Sequence, residues 1–493
     1  MKRYIPLGIL AAAIAYIVTT GFQCSSAELT SARLYIQRKD YPKAVAQLEK
    51  EVTKNPKSEE GYYLLGAVRA EMKDYRKMKD AFDKALAIDS AAHAKDIHAQ
   101  EVSAWVHLFN QGVDALNNAT DLAGYGKAVD AFSTGIYVLP ESTMTYRNLG
   151  LTYYRANIID SAVMNLTAAL DKSHDEVACH LLGEIYIDSA SALKSRFMNT
   201  NRDVFTAMKN LAAIHEKMKA ADVKYILGEP SSVKDLAPKK KKRGAAEVKE
   251  EWMYDKYNLV LTINGENISA VTYTMPYAPT IDSTDLKNAV AFYDKAAEIS
   301  RRGIAWYPDN ASISENLMNA YIGAERNDEA RQLLVTRVKK YPESKFDHYN
   351  LGVFLLKDSN YVDAIAQFKE TLRLDSLEAT LPDTAKTSRR DTSLAANALY
   401  NLAASYVNWG VAEQEKTKAK AEAEGKEGRE GKEDTNYKEK FKLALPYLEE
   451  VVKSKGNDVQ MWELLGQVYA NLNQQDKAVE AYKKADAIRE GKQ

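Results

Sequence analysis

A spacing of residues that recurs along the chain with a period of about 34 constrains its fold more than any other sequence feature. In the copy that begins at Thr143, an aromatic residue is followed by leucine at +3, glycine at +4, tyrosine at +7, alanine at +16, a large apolar residue at +20 and a small one at +23. We find nine such repeats, which begin near Ser25, Glu59, Glu101, Thr143, Glu176, Ala311, Lys345, Ala396 and Val459. The recurrence predicts a fold built from one repeated structural unit.

Each repeat has the spacing of two amphipathic helices. Apolar residues at i, i+3, i+4 and i+7 give a helix one buried stripe. The glycine at +4 is expected where the two helices approach closely, with the small alanine at +16 opposite it, and this glycine is Gly66, Gly150, Gly352 and Gly466 in four of the repeats. The pattern resembles the tetratricopeptide repeat, a helix–turn–helix unit. The resemblance implies a mostly α fold, a solenoid of about nine helical hairpins with a long concave wall.

Three repeats depart from the regular length. The third carries a short insertion around Asp121–Gly126. In the fifth, a long insertion separates the first helix, predicted near 176–194, from the second helix, predicted near 286–306. The eighth is opened by a charged stretch near 413–440, before a second helix at Leu443–Lys453. We therefore expect at least one additional small domain within the array of repeats.

The insertion in the fifth repeat combines a helix with strands. Lys217–Leu227 is predicted to be a helix, because a Gly-Glu-Pro sequence that is typical of helix ends follows it. Strand composition and an Asn-Gly turn predict a hairpin and one further strand, at Glu251–Tyr254, Leu259–Ile263 and Ile268–Tyr273. Over residues 203–275 this order resembles the BamE-like (SmpA/OmlA) domain of outer-membrane assembly lipoproteins, which pairs two helices with a three-stranded antiparallel sheet. A basic loop, Pro238–Arg243, departs from that pattern, and a small α+β insert of other ancestry is the alternative.

The N-terminal residues have the organisation of an export signal. Lys2 and Arg3 precede an apolar stretch, Tyr4–Phe22, and Cys24 follows it. This arrangement resembles a bacterial lipoprotein processing site, which implies cleavage before Cys24 and lipidation of its thiol, although Gln23 stands where that pattern has a small residue. The alternative is an uncleaved helical anchor, since the stretch is nearly long enough to span a bilayer. Both interpretations predict that the rest of the chain is tethered outside the cytoplasmic membrane.

These features predict four segments. Residues 1–23 are a lipoprotein-type signal peptide, and residues 24–194 are the N-terminal repeats. Residues 195–283 form the inserted α+β domain, and residues 284–493 are the C-terminal repeats with their charged insertion.

The sequence offers no candidate catalytic or metal-binding constellation. The 67 Lys and Arg residues are balanced by 68 Asp and Glu residues, which does not favour nucleic-acid binding. Two cysteines exclude a disulfide framework and a zinc site built on several thiolates, and Cys179 occupies an aromatic position of its repeat, which favours a buried side chain over a nucleophile. The seven histidines form no HExxH motif, and no phosphate-binding glycine loop is present. We predict no enzymatic activity, no metal and no cofactor.

One polar pattern suggests a binding surface. Four asparagines occupy the same position on the first helix of their repeats, one residue before the leucine; they are Asn148, Asn316, Asn350 and Asn401. An asparagine row can bind the backbone of an extended peptide, because each amide is both donor and acceptor. The alternative is that each asparagine only bonds a neighbouring helix. Aromatic and basic residues that flank the row suit a binding surface, and they are Arg147, Tyr154, Arg155, Phe346, Tyr349 and Lys357.

Together these observations predict a non-catalytic, membrane-tethered protein-binding scaffold on the periplasmic face of the bacterial envelope. The resemblance of the insertion to outer-membrane assembly lipoproteins implies a role in outer-membrane or envelope protein assembly and an outer-membrane anchor. The expected partners are a protein or peptide in the groove and a lipid bilayer at the N-terminus, and no oligomeric state is predicted. Two alternatives remain open, an accessory subunit of an envelope enzyme and an intracellular co-chaperone adaptor with an N-terminal anchor.

Overall fold

The computed structural model describes residues 26–236, 249–380, 392–423, 436–454 and 456–489. The predicted signal peptide, the lipidation site Cys24 and the basic run of the Pro238–Arg243 loop lie outside the described residues. The described part of the chain forms two compact units, which divide between Leu317 and Met318. We call them unit 1 and unit 2.

Unit 1 contains five helical hairpins. Four of them are regular pairs of consecutive helices, and the fifth pairs two helices that the insertion separates. The pairs are α1 (Ala27–Gln37) with α2 (Tyr41–Lys54), α3 (Glu59–Glu71) with α4 (Tyr75–Ile88), α5 (Ala94–Asn118) with α6 (Leu122–Val138), α7 (Thr143–Arg155) with α8 (Ile159–Ser173), and α9 (Glu176–Thr200) with α12 (Thr284–Trp306).

Unit 2 continues the series of helices. Helix α13 (Ala311–Gly323) contains the division between the units, and α14 (Asn327–Lys340) follows it. The remaining pairs are α15 (Lys345–Lys357) with α16 (Tyr361–Ala379), α17 (Thr392–Ala423) with α18 (Asn436–Ser454), and α19 (Val459–Asn471) with α20 (Gln475–Arg489). A helix pair therefore stands at each of the nine predicted repeats, and the predicted fold class, a mostly α helical-repeat fold with one small α+β insertion, is confirmed.

Local sequence signals explain where these helices begin and turn. The side chains of Ser26 and Ser58 accept hydrogen bonds from backbone N–H groups three residues later, which satisfies donors that a helix start leaves unpaired. The turn within a hairpin places one residue in the left-handed region, with φ of 56° at Lys39, 59° at Lys73 and 60° at Asn157. The chain can therefore reverse direction within three residues.

Helix α17 extends beyond the predicted boundary. It runs to Ala423, into the charged stretch that was expected to open the eighth repeat, and α18 begins at Asn436 rather than Leu443. Alanine, lysine and glutamate have high helix propensities, and Lys416 and Glu413 form an ion pair of 3.0 Å on this segment. The described part of the charged stretch is therefore helical.

The glycine at the +4 position of a repeat leaves room for a large side chain of the partner helix. A Cβ atom on Gly66 would lie 2.3 Å from a ring carbon of Phe82. The expected alanine at +16 is wrong as the opposing residue, because the large residue at +20 fills the space. The other pairs are Gly150 with Leu166, Gly352 with Phe368 and Gly466 with Tyr482. Two further glycines, which were not predicted, do the same: Gly112 with Phe132 and Gly410 with Phe441.

We expect Gly66→Ala to lower the free energy of unfolding by about 1–3 kcal/mol, because the new methyl group overlaps the Phe82 ring. Gly126→Ala in α6 is the matched control: its Cβ would meet no atom within 4 Å, so helix propensity should raise stability by about 0.5–1 kcal/mol. Hydrogen exchange of peptides from α3–α4 and α5–α6 measures both changes. Equal effects of the two substitutions would contradict this account of the glycine.

The insertion is an α+β domain with its own core. It contains helices α10 (Arg202–Ala212) and α11 (Ala220–Leu227) and an antiparallel sheet in the order β1-β2-β3-β4. Its buried residues include Val223, Trp252, Leu261 and Ile263. The strands are β1 (Ser232–Asp235), β2 (Lys249–Tyr254), β3 (Leu259–Asn264) and β4 (Asn267–Tyr273). The resemblance implied three strands. The fourth strand, β1, is exposed at all its residues and therefore carries no alternation of apolar residues that would predict it.

Asn201 joins the two ends of the insertion. Its side chain is buried, and its Nδ2 donates to the carbonyl oxygens of Phe197 and Asp282, at 3.0 Å each. Its Oδ1 accepts from the backbone N–H of Asp282 at 3.2 Å. An ion pair between Arg196 and Asp285 lies beside this contact. Both ends of the domain are therefore attached at one place on the α9–α12 hairpin, as its position within a helix pair predicts.

Candidate functional site

Helix α7 carries four of the predicted surface residues. The guanidinium of Arg147 forms an ion pair with Asp175 at 3.2 Å, and the hydroxyl of Tyr154 bonds the carboxylate of Asp188 at 3.3 Å. Asn148 donates from Nδ2 to the carbonyl oxygen of Met144, one turn earlier, at 2.7 Å. Arg155 is exposed at the end of the helix. Arg147 and Tyr154 therefore connect α7 to the region of α9, while Arg155 points its charge to solvent.

Asn316 is a buried member of the asparagine row. Its side chain is 7% exposed, and Nδ2 donates to the carbonyl oxygen of His180 at 2.9 Å. The space for it comes from Gly183, where a Cβ atom would lie 2.7 Å from Nδ2 of Asn316. Asn316 thus ties α13 to α9 within unit 1. The role of Gly183 was not predicted, although this glycine has the +4 spacing from Cys179.

In unit 2, two asparagines also donate to the first helix of the preceding hairpin. Nδ2 of Asn350 lies 3.7 Å from the sulfur of Met318, and Nδ2 of Asn401 donates to the hydroxyl of Tyr349 at 3.3 Å. Burial raises the pKa of Tyr349 above its ordinary value, so this hydroxyl stays protonated near neutral pH. Three of the four asparagines therefore bond a neighbouring helix, as the alternative interpretation of the row predicts.

The same contacts leave an acceptor on every asparagine of the row. All of these bonds use the amide nitrogen, and within the described ranges the Oδ1 atoms of the four side chains accept no hydrogen bond. A fixed amide nitrogen also orients the carbonyl oxygen. Phe346, which is 38% exposed, and Lys357 lie on α15 with Asn350. The structure thus brings an aromatic ring, a cation and an amide acceptor together on one helix, and their role in binding stays a prediction.

A buried ionic cluster next to this surface was not predicted. Nε of Arg337 lies 2.9 Å from Oδ1 of Asp347, and both side chains are almost fully buried. Nζ of Lys345 lies 2.8 Å from Oδ1 of Asp375 and 2.6 Å from Oε2 of Glu378. Burial by itself lowers the pKa of Lys345, but the hydrogen bonds to the two carboxylates outweigh it and raise the pKa above its ordinary value. The cluster therefore contains buried side chains of both positive and negative charge, and their ion pairs join α14, α15 and α16.

Cys179 is a structural residue. Its side chain is 1% exposed, and Sγ donates to the carbonyl oxygen of Ile299 at 3.4 Å. Burial raises the pKa of its thiol to about 11, so the thiolate that a nucleophile requires does not form near neutral pH. This confirms the interpretation of Cys179 as a small buried side chain.

The described residues contain no group of three His, Cys, Asp or Glu side chains that could hold a metal ion. None of the helices in the described part of the chain is both long enough and apolar enough to cross a bilayer.

Comparison with protein families identifies the repeats. Two family profiles, both described as Tetratricopeptide repeat, match residues 59–91 and residues 316–379 and 437–492. The chain contains tetratricopeptide repeats. Such repeats imply a scaffold for protein–protein interaction, and proteins built from them are generally not enzymes. No curated protein sequence matches the chain.

Several solved repeat structures resemble the chain at low identity. The human IFIT1 dimer with m7Gppp-AAAA is 12% identical, with 97% of this chain and 76% of that chain covered and a TM-score of 0.31. The putative kinesin light chain repeats of Podosopora anserina are 16% identical, with coverages of 41% and 90% and a TM-score of 0.28. The P58(IPK) TPR domain is 11% identical, with coverages of 94% and 95% and a TM-score of 0.22. These values are too low for a function to be transferred.

Proposed function

We propose that the chain is a non-catalytic scaffold, tethered to a membrane of the bacterial envelope, that binds an extended protein segment through the asparagine row. The observation that carries this proposal is that, in each of the four repeats with asparagine at this position, no described residue donates to its Oδ1 atom. A peptide N–H group is the natural donor to such an acceptor, whatever the side chains of the peptide are.

The energetics of such binding favour a repeated site. A single hydrogen bond contributes only about 0.5–1.5 kcal/mol, so several repeats must act together. Because the amide nitrogens are already bonded, the asparagine side chains lose little rotamer freedom when a ligand arrives. The exposed ring of Phe346 supplies apolar contact area on the same helix as Asn350. The arrangement suits a partner that is recognised through its backbone.

Asn350→Ala tests the row. Within the described part of unit 2, its amide nitrogen bonds only the thioether sulfur of Met318, at 3.7 Å, so we expect the stability of unit 2 to change by less than about 0.5 kcal/mol. Partner capture by a photo-crosslinking residue placed at Phe346 in intact cells should fall, because an acceptor is lost. The same photo-crosslinking residue placed at Val362, an exposed residue of α16, is the control for position. Capture that survives Asn350→Ala, or that is equal from both positions, would reject the row as the binding surface.

Asn316→Ala separates structural from binding roles. Its bond to the carbonyl oxygen of His180 is buried, so its loss should lower the free energy of unfolding of unit 1 by about 1–3 kcal/mol. The same measurement on Asn350→Ala should show no comparable change.

The tether and the envelope location rest on the sequence. The export-signal pattern and Cys24 support lipidation, and the resemblance of the insertion to outer-membrane assembly lipoproteins supports a role in envelope protein assembly. The attachment of that domain through Asn201 supports its presentation at one place on the array. Metabolic labelling with a clickable fatty acid tests the tether: we expect Cys24→Ser to abolish the label, and a label that persists would exclude lipidation at this residue.

A further inference from the structure

The sheet of the inserted domain has two edge strands, and they differ in what they offer to another chain. An exposed edge presents unpaired backbone N–H and C=O groups, and folded proteins usually protect it with charged residues or with a very short strand. The edge strand β1 has only four residues, of which Lys234 and Asp235 are charged. The other edge strand, β4, carries no charged residue, and the chain stays uncharged from Asn267 to Ile281. Of the two edges, β1 therefore carries the usual protective charges and β4 does not.

The register of β4 shows which of its backbone groups face outward. The N–H group of Thr274 donates to the carbonyl oxygen of Asn258, and the antiparallel pairing with β3 continues without a shift back to Ala270. Because backbone groups alternate between the two sides of a strand, those of Val271 and Tyr273 point away from β3. Within the described ranges these two residues have no backbone hydrogen bond on that outer side. The second half of β4 is therefore a free edge.

The first half of the same edge already pairs with an extended segment of this chain. The N–H group of Lys217 donates to the carbonyl oxygen of Ile268 at 2.9 Å, and the N–H group of Ile268 donates to the carbonyl oxygen of Met218 at 2.8 Å. The pairing is antiparallel, and it stops before Val271. A second extended segment in line with the first would continue the same ladder along the free edge.

An apolar cavity of about 480 Å³ lies between the end of β4 and α10. None of the described residues that line it is charged, and its large members are Met208, Leu211, Tyr273, Met275 and Tyr277. Met208, Tyr273 and Met275 are between 43% and 62% exposed, so apolar surface reaches solvent here. Val271 and Tyr273 lie two residues apart and share one face of β4, and Val271 packs against the core of the domain. The side chains of a segment paired with these two residues would therefore face the cavity.

We infer that the free edge of β4 binds an extended, apolar segment of a protein partner by strand addition. The segment pairs antiparallel with Val271 and Tyr273, in line with the Lys217–Met218 contact, and it ends or turns away where that contact begins. Every second side chain of the segment enters the cavity, and these side chains are apolar because the cavity walls offer no charge. The inference goes beyond the proposed function, since it assigns a second binding surface that does not depend on the asparagine row.

Peptide binding to the full chain tests the strand addition. The probe is a fluorescein-labelled Thr-Val-Thr-Leu-Thr peptide, whose Val and Leu residues face the cavity with their side chains and β4 with their N–H groups. N-methylation of Val and Leu removes these donors, whereas N-methylation of the second and third Thr removes donors that face solvent. We expect fluorescence anisotropy to show at least about tenfold weaker binding for the first methylated peptide than for the second, a difference of about 1.4 kcal/mol. Equal binding of the two methylated peptides, or no binding of the unmodified peptide, would overturn the inference.

Matched variants assign the binding to the cavity beside β4. Met208→Glu and Met275→Glu each place a charge at its wall, and each should weaken binding of the unmodified peptide at least about tenfold. The control is Met164→Glu in α8, at a methionine that is 65% exposed and lies outside the cavity lining, and it should leave binding unchanged. Hydrogen exchange of β2 and β3 shows whether each variant keeps the folded sheet. Equal weakening by the control, or full binding by a folded cavity variant, would exclude this surface.

The two proposals fail independently. If Asn350→Ala lowers capture at Phe346 while the peptide does not bind the full chain, the strand addition is wrong and the scaffold function stands. If the peptide binds at β4 but Phe346 captures nothing above its control, the asparagine row is not the binding surface.

Discussion

Replacing Asp347 with alanine is expected to lower the free energy of unfolding of unit 2 by about 3–5 kcal/mol, because it removes the buried carboxylate that lies 2.9 Å from Nε of the buried Arg337. Asp347 is 0% exposed and lies in the first turn of α15, where a negative charge also interacts favourably with the helix N-terminus. Both contributions disappear in the variant. The change concerns α14 and α15 first, since Arg337 and Asp347 join these two helices.

Hydrogen exchange of peptides from α14 to α16 measures this loss. The matched control is Asp328→Ala, which removes a carboxylate that pairs with Arg331 at 2.9 Å but whose side chain is 82% exposed; we expect it to change stability by less than about 0.5 kcal/mol. A second control combines Arg337→Met with Asp347→Leu, and it should restore most of the stability because it removes both charges of this buried pair. A small effect of Asp347→Ala alone would show that water reaches the cluster.

Phe82→Ala is expected to lower the free energy of unfolding of unit 1 by about 3–5 kcal/mol, because it empties a closely packed site. The Phe82 ring is 0% exposed, and it fills the space that Gly66 leaves on the facing helix. Tyr63 lies 6.2 Å from it in a stacked arrangement and loses a neighbour in the variant.

Tyr482→Ala is the control for the position within the repeat. Tyr482 has the same spacing and faces Gly466, but it is 40% exposed. We expect this substitution to lower stability by no more than about 1–2 kcal/mol, since less apolar surface leaves the core. Hydrogen exchange in α3–α4 and in α19–α20 compares the two. If both variants lose the same stability, the repeat position rather than burial sets the energy, and our explanation fails.

The architecture of the repeats could be predicted from the sequence to a large extent. The spacing of apolar residues predicts each helix pair because it depends on residues three and four apart on one helix. The same spacing also predicted the helix pair of the interrupted fifth repeat, in which α9 and α12 pack together although the inserted domain lies between them in the sequence. It failed for β1, whose exposed residues show no periodicity.

The candidate binding surface was predicted less completely. The row of asparagines is visible in the sequence, but the atoms that each side chain has available are not. Nδ2 of Asn316 is committed to His180, a residue 136 positions away, and Gly183 makes the space for this contact. Partners at such separations depend on how one repeat packs on the next, which no local pattern encodes.

The sequence by itself determined the repeated hairpins, their turns and the position of the inserted domain, because helix formation and chain reversal depend on neighbouring residues. Only the tertiary structure decided that Phe82 faces Gly66, that Arg337 and Asp347 are buried as a pair, and that no described residue donates to the carbonyl oxygens of the asparagine row. A charged or polar residue on a helix has the same sequence signature whether its face meets water or another repeat. Burial and pairing are set by the packing between helices, and this packing is a property of the folded chain.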